Sequence, residues 1–160
     1  MTPTADLCDA HPDAVRVATP GLLDFGGKST FSGPVQTVRC YEDNTQVRAQ
    51  LETPGEGRVL VVAGGGSRWC ALLGGNLGVL ARDNGWAGVV VDGCVRDVGE
   101  LRPLAVGVRA WAACPRKSRK LGTGEVGVPV EAFGIRIQPG DHLWADADGL
   151  VVAERDLERE

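Results

Sequence analysis

Arg58-Val59-Leu60-Val61-Val62-Ala63 and Ala87-Gly88-Val89-Val90-Val91, with Gly74-Gly75-Asn76-Leu77 between them and Arg96-Asp97 and Glu100 beyond, decide how this chain is read. The two Val-rich runs are short, β-branched and bounded by glycines, and read as buried strands. A helix-like segment separates them. The result is a strand–helix–strand unit whose polar residues follow the strands, where open α/β sheets collect ligands.

Asn76 is suited to cap a helix starting near Leu77, with the first backbone N–H groups open toward the Gly74-Gly75 turn. Such a terminus receives a carboxylate or phosphate. The run Gly64-Gly65-Gly66-Ser67 is less specific, because no Gly-Lys-Ser/Thr follows and Trp69 stands where a third dinucleotide-loop glycine belongs. Asp92-Gly93 is expected to end the second strand, which places Arg96 and Asp97 on the following turn. Arg96 offers a fork-shaped cation for a carboxylate or enolate oxygen. Asp97 and Glu100 are three residues apart, so one helical turn puts both on one face. Two carboxylates are too few for a metal cage, but they can hold a magnesium or manganese ion that keeps waters and takes its other ligands from a substrate. A surface salt-bridge cluster is the competing reading of the same three residues.

Outward from this unit, residues 31–40 read as a strand around Pro34, and Glu42-Asp43-Asn44 leads into a helix to about Leu51 that Pro54-Gly55 ends. Residues 106–113 read as a further strand and residues 126–137 as two strands around a turn, with Pro129 suggesting an edge. Residues 140–145 and 150–153 flank Asp146-Ala147-Asp148-Gly149, a hairpin turn. The expected class is α/β, one domain over residues 1–160, with a central mixed sheet flanked by helices. A single short helix looks too small to cover that sheet on both faces, which argues for partner subunits against the uncovered face.

A net charge of -4 argues against direct nucleic-acid binding. Arg116-Lys117-Ser118-Arg119-Lys120 is a local exception, either a solvated loop or an anion or partner contact. The N-terminus lacks a basic region followed by an apolar run, and no segment has membrane-spanning length, so a soluble cytoplasmic protein is expected. Five widely spaced cysteines without Cys-x-x-Cys signal neither a disulfide framework nor a zinc site. His11 and His142 have structural readings, in a loop before Pro12 and at the start of a strand, so no general base is assigned.

Gly75, twenty intervening residues, Arg96-Asp97, two residues and Glu100 resemble the signature of the class II 4-hydroxy-4-methyl-2-oxoglutarate aldolase family, which shares its fold with the regulator of ribonuclease activity A (RraA). Asp24-Phe25-Gly26-Gly27, Tyr41-Glu42-Asp43-Asn44, Arg58-Val59-Leu60-Val61-Val62 and Gly140-Asp141-His142-Leu143 resemble it too. The resemblance implies a swivelling β/β/α-type domain assembled as a homotrimer with active sites between subunits. It further implies that the backbone from Gly74 to Leu77 and the Arg96 side chain hold a 2-oxo acid, with Asp97 a direct ligand of Mg2+ or Mn2+ and Glu100 acting through water. The implied reactions are cleavage of 4-hydroxy-4-methyl-2-oxoglutarate to two pyruvates and decarboxylation of oxaloacetate, which share a pyruvate enolate. The alternative is a protein that inhibits a ribonuclease E-type enzyme by binding it. Some relatives carry an older demethylmenaquinone methyltransferase label, but the Gly64-Gly65-Gly66 loop lacks the acidic Asp-x-Gly-x-Gly pattern usual for methyl-donor binding.

Overall fold

The computed structural model describes residues 1–159. Helix α1 (Thr4–Ala10) and two short strands, β1 (Arg16–Val17) and β2 (Leu23–Asp24), precede the long strand β3 (Phe31–Arg39). The chain continues through α2 (Thr45–Leu51), β4 (Val59–Ala63), β5 (Ala71–Leu73), α3 (Gly75–Asp83), β6 (Gly88–Val95), α4 (Val98–Leu101) and β7 (Gly107–Ala113). Five short strands follow, β8 (Glu125–Val126), β9 (Val130–Ala132), β10 (Ile135–Ile137), β11 (His142–Asp146) and β12 (Gly149–Ala153).

Strands β3, β4, β6 and β7 run parallel, and β11, β12 and β1 extend this sheet antiparallel beyond β3 while β2 closes the far edge. The expected α/β class and mixed sheet are both present. Alternation along the Val-rich strands sends side chains to two cores. Leu60, Val62, Val89 and Val91 face Val47 and Leu51 of α2, Leu77 and Ala81 of α3, and Leu101 of α4. Val59, Val61 and Val90 face the opposite way, onto Val130, Ile137, Leu143 and Val152 of the short strands. Each fully buried Val or Leu contributes about 1.5–3 kcal/mol, so both faces of the central strands stabilise the fold.

This layering corrects two expectations. The helices that pack on the central strands lie on one face, and strands cover the other, so the argument that an uncovered sheet face demands partner subunits does not hold. Nor does Asp92-Gly93 end its strand: β6 runs on to Val95 because β5 and β7 hydrogen-bond to it on either side, and a register shift between Val91 and Cys94 absorbs the irregularity. Pro129 falls in the connection between β8 and β9, and β9–β10 forms a separate two-stranded sheet. Among the described residues, no helix is long and apolar enough to cross a membrane. All five cysteines are free, and burial pushes the Cys40 thiol up to about 12.

Candidate active site

Strands β5 and β6 end side by side, Leu73 opposite Val95, and the Arg96 N–H donates to Leu73 O at 2.9 Å. The next residue of each chain segment, Gly74 and Arg96, is therefore delivered to the same place. Asp97 then adopts a left-handed conformation, φ 57° and ψ 44°, which costs a non-glycine residue about 1–2 kcal/mol. That turn swings its carboxylate back onto the start of α3, where Oδ2 accepts the Gly75 N–H at 2.9 Å. A negative charge is favourable there because the first N–H groups of the helix are unpaired and its dipole is positive. The Asp97 carbonyl accepts from Glu100 N at 2.9 Å and Leu101 N at 3.0 Å, which starts α4 and fixes the Glu100 backbone.

The two glycines are required by close approach. A Cβ on Gly75 would lie 2.0 Å from Glu100 Oε2, and one on Gly74 would lie 2.8 Å from Asp97 Oδ2 and 3.3 Å from Arg96 Cγ. All three charged side chains thus converge on Gly74-Gly75. Arg96 is half-buried, Asp97 and Glu100 are exposed, and among the described residues the Arg96 guanidinium makes no ion pair. The salt-bridge cluster considered from sequence is not formed.

The helix start is also corrected. Gly74, in extended backbone (φ -132°, ψ -168°), holds the cap position, and Asp97 satisfies Gly75 N–H in place of an Asn76 cap. The N–H groups of Asn76 and Leu77 precede the first intrahelical donor, Gly78, which reaches Gly74 O at 2.9 Å, and so stay available to a ligand.

Gly74, Gly75, Asn76, Leu77, Arg96 and Asp97 line a cleft of about 290 Å³, with Glu100 just behind Gly75. Its opposite wall carries residues that sequence reasoning did not place there, above all Asn44, Arg48 and Lys120. Lys120 Nζ donates to Asn44 Oδ1 at 3.2 Å, and Asn44 Nδ2 donates to Leu72 O at 3.3 Å. Behind them Asp43, 1% exposed, accepts from Thr45 N (2.9 Å), Thr45 Oγ1 (2.6 Å), Leu121 N (2.8 Å), Thr123 N (3.2 Å) and Thr123 Oγ1 (2.9 Å). Burial alone would push this carboxyl up, but those hydrogen bonds outweigh it and hold Asp43 well below the usual carboxylate range. Asp43 therefore ties the basic loop to the start of α2 and carries Lys120 into the cleft. With Arg96, and with Arg48, whose Nε also pairs with Glu52 at 2.9 Å, that brings three cations to an opening suited to a charged carboxylate. The signals in the sequence were the acidic residues before α2 and the basic run bounded by Pro115 and Gly122. Their meeting is a long-range contact.

The donor set fits a hard divalent ion. Asp97 and Glu100 supply only oxygens, and both lean over a glycine cradle that a single Cβ would fill. No group of three or more His, Cys, Asp or Glu side chains able to hold a metal occurs among the described residues, so an ion held here would need ligands beyond these side chains, such as water or substrate. His11 and His142 do not line the cleft. Burial pushes His142 down, and its ring lies 4.5 Å from that of Trp144.

The aldolase/RraA family profile matches residues 4–152. A curated protein of Burkholderia multivorans, provisionally named a 4-hydroxy-4-methyl-2-oxoglutarate aldolase, is 56% identical over 159 residues, which cover 96% of this chain and 97% of that one. A Geobacillus kaustophilus structure described as an S-adenosylmethionine: 2-dimethylmenaquinone methyltransferase superposes with a TM-score of 0.97 at 47% identity, covering 99% of each chain. The structure of the RNA-processing inhibitor RraA from Thermus thermophilus gives a TM-score of 0.94 at 48% identity, covering 97% of this chain and 94% of that one.

Proposed function

The chain belongs to the RraA-like aldolase/RraA family, and from that premise and the geometry of its cleft we propose that it is a divalent-metal-dependent carbon–carbon lyase acting on short, multiply charged 2-oxo acids. Its substrate is 4-hydroxy-4-methyl-2-oxoglutarate, cleaved to two pyruvates, and oxaloacetate is decarboxylated at the same site. The observation that carries this reading is the convergence of Arg96, Asp97 and Glu100 on Gly74-Gly75 beside the unpaired N–H groups of α3.

Arg96 holds the carboxylate and 2-oxo oxygens of the pyruvyl end, with the Asn76 and Leu77 N–H groups as further donors. Asp97 keeps one oxygen on Gly75 N–H, which fixes its orientation and leaves the other oxygen open; Asp97 would hold Mg2+ or Mn2+ directly and Glu100 would act through water. When bound, the ion supplies a Lewis acid that stabilises the enolate common to both reactions. Arg48 and Lys120 face the distal carboxylates, so dicarboxylates should be preferred over simple 2-oxo acids. The site is completed in a homotrimer.

A second reading, a protein-binding regulator of a ribonuclease E-type enzyme, is favoured by an exposed face next to the cleft. The Arg116 and Arg119 guanidinium groups both lie over the Trp69 ring, at 4.7 Å and 4.8 Å, with Tyr41 65% and Leu121 73% exposed nearby in the fold. Methyl transfer gains no support from the Gly64-Gly65-Gly66 turn, where Gly64 packs against Leu72 and the Asp92 carbonyl.

The test is a lactate-dehydrogenase-coupled pyruvate assay with both substrates, with and without chelator, beside sedimentation of the same protein. Chelator-sensitive turnover by a particle of three times 16.8 kDa is expected. A monomer, or turnover indifferent to chelator, overturns the reading, and a ribonuclease complex without turnover favours the second.

A further inference from the structure

Arg109 stands on β7, 5% exposed, and takes no part in the cleft described above. Its Nη2 donates to Ser29 O and to Asp146 O, the latter at 3.1 Å, and the guanidinium lies 5.9 Å from the Phe31 ring centroid. Nε is buried without a partner, and no carboxylate forms an ion pair with this side chain among the described residues. A guanidinium has five N–H donors and cannot shed its charge. Two carbonyl dipoles and the face of an aromatic ring compensate a buried cation only in part, so the approach of an anion is favoured.

The same side chain walls a cavity of about 180 Å³ formed by residues 17–22 and the turn 147–150. That is about six waters' worth of liquid volume, enough for an anion of a few heavy atoms. Pro20, Leu22 and Leu150 give it apolar surface, Thr19 a hydroxyl, and exposed Asp148 a carboxylate. One buried cation opposed by one exposed carboxylate favours a singly charged ion over phosphate, and the apolar wall favours a short carbon chain. We propose that this cavity is a second anion site, separate from the catalytic cleft, which takes a small monocarboxylate with its charged end on Arg109 and its carbon chain against Leu22 and Leu150.

The experiment is calorimetric titration of the full chain carrying Arg96→Ala, which weakens the cleft, with sodium acetate, inorganic phosphate and chloride at constant ionic strength. Acetate should bind at one site per chain, more tightly than phosphate or chloride. Adding Arg109→Gln should weaken acetate by about tenfold or more, the scale of a charge-assisted hydrogen bond. Because Arg109→Gln removes a buried side chain and risks misfolding, Asp148→Asn in the same background gives an independent reading. That change should tighten acetate by about two- to fivefold, the scale of an exposed charge pair. Absence of acetate binding, phosphate binding more tightly than acetate, or unchanged acetate affinity in either variant overturns the proposal.

Discussion

Replacing Gly75 by alanine separates catalysis from folding. The new Cβ would sit 2.0 Å from Glu100 Oε2, 3.1 Å from its Cδ and 3.2 Å from its Cβ. Ordinary contact begins near 3.4 Å, so the carboxylate must retreat by about 1.4 Å. Glu100 is exposed and its carboxylate is free to swing, its Cβ has to give by only a few tenths of an ångström, and Gly75 is not among the glycines with positive φ, so alanine fits the backbone there. Helix propensity then favours alanine by up to about 1 kcal/mol. The melting temperature should hold or rise by about 2–4 °C. Turnover should fall about 10²-fold, because a displacement of about 1 Å in a positioned group costs that much. The pyruvate-coupled assay and a thermal melt on one preparation read both. Gly78→Ala is the control, since its Cβ would meet Leu101 Cδ2 at 2.6 Å and Leu104 Cδ1 at 2.9 Å, in the core. It should cost about 1–3 kcal/mol of stability and leave turnover per folded molecule nearly unchanged. Wild-type turnover in Gly75→Ala would refute the role given to the Glu100 position.

Arg96→Lys should lose about 10²–10³ in turnover, or about 3–4 kcal/mol, because an ammonium cannot reproduce the guanidinium fork; near wild-type kinetics would exclude bidentate recognition. Lys120→Met should raise KM for dicarboxylic 2-oxo acids more than it lowers kcat, whereas an equal fall in kcat would place Lys120 in the chemistry. The hydrogen bonds that Asp43 accepts hold its folded pKa below the ordinary carboxylate range. Its contribution is therefore complete above about pH 4 and is lost as pH falls toward the folded value. Asp43→Asn should melt lower than wild type at pH 7, and the gap should narrow below pH 3.8; a gap that widens in acid would contradict the assignment.

The central strands were legible because Val59–Val62 and Val89–Val91 are buried on both faces, which demands an unbroken apolar run that few other contexts tolerate. The hairpin around residues 146–149 was legible from Asp148-Gly149, whose glycine takes φ 151°. Sequence failed where a distant segment supplied the partner. Asn76 looked like a cap because Asp97, twenty-two residues away in the chain, was not known to reach Gly75 N–H. Asp92-Gly93 looked like a strand end because its neighbours on both sides of β6 come from other parts of the chain. Lys120 entered the cleft through Asp43, a contact spanning more than seventy residues that no local pattern encodes.

The most direct test of the central claim is a magnesium titration of turnover in wild type and Asp97→Asn. Asn tolerates the left-handed backbone at least as well as Asp, so the fold and the Gly75 contact should persist while the charge that holds the ion is lost. The account predicts an unchanged melting temperature, collapsed turnover at low magnesium and partial recovery at high magnesium. A magnesium dependence in Asp97→Asn superimposable on that of wild type would contradict it.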